Sequence, residues 1–105
     1  MTLTRDFKET VKARVEQDPA FKAALFVEAI ELLLNGDVDT GKAILRDYIN
    51  ATIGFEALAQ GVNTPSKSLM RMFSEKGNPG ARHIFPVISH LQKQTDISIR
   101  IDATE

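Results

Sequence analysis

The chain has 105 residues, 43% hydrophobic and 26% charged, which suits one globular domain with a modest core. It contains no cysteine, so disulfide frameworks and thiolate metal sites are excluded, and no apolar run reaches the ~18 residues of a membrane span. The net charge of −1 argues against a uniformly basic nucleic-acid binder.

The start, MTLTRDFKET, is charged and amphipathic and does not read as a signal peptide, so a cytoplasmic protein is expected. Leu3, Phe7, Val11 and Val15 recur every fourth residue and predict a helix over 3–16. Asp18-Pro19 supplies a cap and a first-turn proline for a second helix, 19–34, whose FKAALFVEAIELLL is apolar nearly all round and is therefore expected to be buried. Asn35-Gly36 ends it, with glycine suited to the left-handed position. Asp37 or Asp39 opens a third helix to about Thr52, with Ile44, Leu45, Tyr48 and Ile49 inward. Gly54 interrupts, and Phe55, Leu58, Ala59 and Val62 mark a fourth helix. A fifth spans 65–74, Asn78-Pro79-Gly80 turns, and a sixth covers about 81–94 with Ile84, Phe85, Val87, Ile88 and Leu91. Pro86 is expected to delay or bend that last helix. From Asp96 to Asp102 apolar and polar residues alternate with period two, the pattern of a strand. With no second strand in the sequence, Ile97, Ile99 and Ile101 would pair with the same strand of a second copy across a two-fold axis, or else form a tail along their own domain.

The stretch LAQGVNTPSKSLMRMFSEKGNP, residues 58–79, holds two helices too short to be stable alone. It has the parts of a helix-turn-helix. Ala59 is small enough to let the second helix cross closely. Asn63 tolerates positive φ in the turn. Thr64-Pro65 caps and restarts the chain. Leu69, Met72 and Phe73 provide an inner face, and Ser66, Lys67, Met70 and Arg71 a polar outer face able to reach base edges in a major groove. The charge distribution changes at the same place. Residues 1–63 carry seven basic and ten acidic side chains, whereas residues 64–93 set Lys67, Arg71, Lys76, Arg82 and Lys93 against Glu75 alone. A local positive field attracts phosphate whatever the total charge, though a solvated cationic face is the plain alternative.

Through Leu58-Ala59, Asn63, Ser68-Leu69, Arg71, Ser74-Glu75 and Gly77-Asn78-Pro79, the segment resembles the helix-turn-helix of the lambda-repressor-like (Xre-type) family. Within it the resemblance is to the addiction-module antidote proteins, small antitoxins and autoregulators encoded beside a toxin. The likeness extends from about Asp39 to Ile101. It implies an all-α, lambda-repressor-like bundle of five or six helices with a short C-terminal β-strand. Residues 39–105 would form the DNA-binding domain, with 1–38 a helical extension packed on it. It also implies a homodimer on a palindromic operator in double-stranded DNA. Base contacts would fall to Ser66, Lys67, Met70 and Arg71, phosphate contacts to Thr64, Lys76, Asn78 and Arg82, and the motif turn to Ala59 and Asn63. Phe55, Thr64 and Pro65 depart from the family pattern, Phe55 standing where a polar phosphate ligand is usual.

Other chemistries find little support. His83 and His90 lie seven apart on one helix with no third ligand in register, so no metal is expected. The chain has no catalytic motif and no nucleotide-binding glycine loop, so neither an enzyme nor a cofactor is expected. The apolar second helix completes a core or dimer interface, or docks a toxin whose basic surface would suit Glu16, Asp18, Glu28, Glu31 and Asp37. A helical protein-interaction adaptor without DNA binding is the alternative to a regulator.

Overall fold

Capping chemistry lays out the first half of the chain. The computed structural model describes residues 5–104. Helix α1 (Arg5–Gln17) leads to Asp18, whose Oδ1 accepts from the Phe21 amide at 3.1 Å and so caps α2 (Pro19–Leu34). Leu3, expected in the first helix, lies outside the described residues. Helix α2 stops at Asn35, and Gly36 takes φ 87°, which glycine adopts without strain. Of the two aspartates available for α3 (Val38–Ala51), Asp37 is the cap, accepting from the Thr40 amide at 3.4 Å. Helices α4 (Gly54–Val62), α5 (Ser66–Met72) and α6 (Ala81–Thr95) follow, each without a side-chain cap. The described residues are thus all-helical, and none of these helices is long and apolar enough to cross a membrane.

A single buried cluster runs from α2 to α6. It joins Phe26, Ala29 and Ile30 to Leu45, Tyr48 and Ile49, then to Phe55, Leu58, Leu69, Phe73, Val87 and Leu91. Phe26 and Tyr48 stack with ring centroids 4.6 Å apart, fastening α2 to α3. The buried Tyr48 hydroxyl donates to Thr95 Oγ1 at 2.9 Å, and Thr95 donates on to the Leu91 carbonyl at 2.6 Å, so both hydroxyls are satisfied. Burial raises the Tyr48 pKa above its ordinary 10.0, and the Thr95 hydrogen bond opposes that rise. Helix α1 packs on α2 and α3. Its Val15 is buried, and Arg14 lies over the Phe21 ring, 4.3 Å from the centroid. The radius of gyration, 13.2 Å, is that of one folded unit of this length, about 13 Å.

Several expectations are corrected. Helix α2 is not buried all round: Val27 is 38% and Leu34 63% exposed. Pro86 does not delay α6, which begins at Ala81 and carries the proline inside, and Phe85 points outward at 64% exposure. The terminal segment forms no strand among the described residues. Its alternation serves a different purpose. Ile97 and Ile99 lie half-buried against the core while Ser98 and Arg100 face out. The Ile99 amide finds its acceptor in Gln92 Oε1, at 2.8 Å, instead of a neighbouring strand. Ile101 is left 72% exposed.

Candidate functional site

The geometry of α4 and α5 begins at the turn between them. Asn63 stands at φ 54°, ψ 47°, in the left-handed region that asparagine enters more readily than most residues. The amides of Asn63 and Thr64 both donate to the Ala59 carbonyl. Thr64 does not cap α5 as the sequence suggested. Its hydroxyl donates back to the Val62 carbonyl at 3.3 Å, Pro65 takes the cap position at φ −57°, and Ser66 is the first helical residue. Helix α5 is held by its inner face, with Leu69 and the following Phe73 each 1% exposed. Phe55 packs on Phe73 at 5.9 Å between centroids, so the residue that departs from the family pattern is a core residue and reaches no phosphate.

The outer face carries Lys67, Met70 and Arg71, all exposed, with Ser66 half-buried at its start. Lys76, Asn78 and Arg82 are exposed beyond it. Arg71, Lys76 and Asn78 come together around an open depression also lined by Ser68, Met72 and Gly77. Thr64 and Ser66 line a different one, between α4 and α5, with Gln60, Asn63 and Glu56. Glu56 was not foreseen, and it brings an acidic side chain to this second depression. His90 lays its ring where a side chain at Gly61 would stand, which brings α6 close over α4, whereas His83 is exposed.

Beneath the depression lies a group the sequence reading missed. Lys42 of α3 is 3% exposed. Its Nζ donates to the Gly77 carbonyl at 2.6 Å and, more weakly, to the Glu75 carbonyl at 3.4 Å. One turn on, Arg46 reaches the Phe73 carbonyl at 3.5 Å, and its buried Nε has no partner among the described residues. Both cations thus address carbonyls at and just past the C-terminal end of α5, the negative end of a helix. The loop wraps tightly there: a side chain at Gly77 would collide with the carbonyl oxygens of Arg71 and Met72. A signal for Lys42 exists in the sequence. It stands three and seven residues before Leu45 and Ile49, inside the apolar stripe of α3.

No family model, curated protein or solved structure matches the chain.

Proposed function

We propose that the chain is a sequence-specific double-stranded DNA-binding regulator acting as a homodimer. One observation carries the reading. A left-handed turn at Asn63 docks α5 on α4 with Leu69 buried, and this leaves Lys67, Met70 and Arg71 exposed on the opposite side. An α-helix with its side chains is about 10–12 Å across, which matches a B-DNA major groove about 12 Å wide. In this reading Arg71 and Lys67 donate to guanine edges, Met70 meets a thymine methyl, and Ser66 is a lesser contact at the helix start. Lys76, Asn78 and Arg82 hold phosphates, with Thr64 flanking. Two such helices, one per protomer, would read a palindrome in successive grooves. The extended 97–104 segment, with Ile101 uncovered, is the proposed seam between copies.

The resemblance adds an antitoxin role. Val27 and Leu34 are uncovered on α2, with exposed Glu28 and Glu31 beside them, and such a surface favours a basic protein partner. The decisive experiment is fluorescence anisotropy against duplex from just upstream of the gene, with a scrambled duplex as control. Selective binding that weakens with salt and is lost in Lys67→Ala/Arg71→Ala is the expected result. Equal or absent binding to both duplexes would leave the helical adaptor as the better reading.

A further inference from the structure

We infer that Lys42 is a positioning residue for DNA phosphate, acting by aiming the backbone amides of Lys76 and Asn78 outward. The inference rests on the DNA-binding reading above. A trans peptide holds its C=O and N–H in opposite directions, and the described chain has no cis bond. Lys42 Nζ draws the Glu75 and Gly77 carbonyls inward. The amides across those two peptide bonds, belonging to Lys76 and Asn78, therefore face away from the core. Neither is donated to another described residue. These two amides flank that of Gly77, which is donated to the Ser74 carbonyl at 3.0 Å, and an anion could accept from the pair. Lys76 and Asn78 both line the open depression that the exposed Arg71 side chain also borders. Pro79 favours extended backbone at Asn78 and brings no amide of its own to compete. A buried cation is costly to desolvate, and the two carbonyls that Lys42 meets offset that cost.

The test uses the full chain labelled with ¹⁵N, the tightest-binding duplex selected from a randomised pool, and a scrambled duplex. Lys42→Met is expected to shift the Lys76 and Asn78 amide resonances in the free protein. It should weaken binding to both duplexes alike by about tenfold and lower the salt slope by about one contact, with base preference kept. Lys42→Arg, which keeps the donors and the charge, should recover most of the affinity. Unchanged affinity in Lys42→Met would overturn the inference. So would a loss of base preference alongside affinity, since Lys42 would then merely support α5. Should Lys42→Met fail to fold, the wild type alone decides: Lys76 and Asn78 amides that do not move when duplex is added sink the idea. A wild-type chain that binds neither duplex overturns the DNA-binding reading itself, and this inference with it.

Discussion

The two helical pairs α2–α3 and α4–α5 are built on opposite plans. Helices α2 and α3 have 16 and 14 residues, and each opens on an aspartate that accepts a backbone amide. Helices α4 and α5 have 9 and 7 residues and no side-chain cap. The first pair is longer and capped, whereas helices as short as the second are marginal alone and depend on what they touch. Leu69 and Phe73 anchor α5 from within, Arg46 of α3 holds its far end, and Lys42 holds the loop beyond it. What the contrast teaches is a division of labour. Because α5 is fastened by its inner face and its C-terminal end, its outer side chains Lys67, Met70 and Arg71 can stay exposed without loss of packing.

The strongest challenge to this contrast is truncation in the core. Phe26→Ala and Phe73→Ala should each cost about 3–5 kcal/mol in urea unfolding. A Phe73 loss far below the Phe26 loss would mean that α5 does not depend on the core. Next, Arg71→Ala should weaken duplex binding by about 1–3 kcal/mol and relax preference at one base, while stability changes by less than about 0.5 kcal/mol. An equal loss on all sequences would make Arg71 a phosphate ligand. The capping difference is smaller. Asp18→Ala should cost about 1 kcal/mol, and Thr64→Ala under about 0.5 kcal/mol because its hydroxyl caps nothing. Thermal melts of the two variants side by side check this.

The smallest expected effect concerns the half-buried Asp47 of α3. Burial raises its pKa above the ordinary 3.8, against the lowering pull of Arg46 and Lys8. A raised folded-state pKa means that the folded protein holds this proton more tightly than the unfolded chain does. The resulting stabilisation is full below the ordinary value and is lost as pH rises through the folded one. Asp47→Asn should therefore raise Tm near neutral pH, and the advantage should vanish below 3.8. A variant that melts lower than the parent at neutral pH would show that the attraction of Arg46 and Lys8 outweighs burial.

The helices were legible because their ends carry local chemistry. Asp18-Pro19, Asn35-Gly36 and Asp37 act within one turn of themselves, and the left-handed bend at Asn63 follows from its own side chain. Legibility failed where the answer depends on distant chain. Alternation over 96–102 is equally satisfied by a strand or by one extended segment laid on α6, and Gln92 decides between them. Thr64 reads as a cap until the backbone turns its hydroxyl towards Val62. Phe85 reads as core because apolar residues crowd α6, yet Val87 and Leu91 already fill the buried side. At the candidate site, Arg71, Lys76 and Asn78 could be found from the motif. Glu56 joins Thr64 and Ser66 only once α5 crosses α4, and Lys42 acquires its partners only when the chain returns to it.

That last contact also bears on kinetics. Most packing here joins neighbouring helices, the local topology that folds quickly. Lys42 and Gly77 are 35 positions apart, so theirs is a long loop to close. The contact is expected to form after the transition state. Lys42→Met should then speed unfolding while leaving the folding rate nearly unchanged, a pattern that stopped-flow chevrons would reveal. The loop from Ser74 to Asn78 would be among the last parts of the molecule to close and among the first to open.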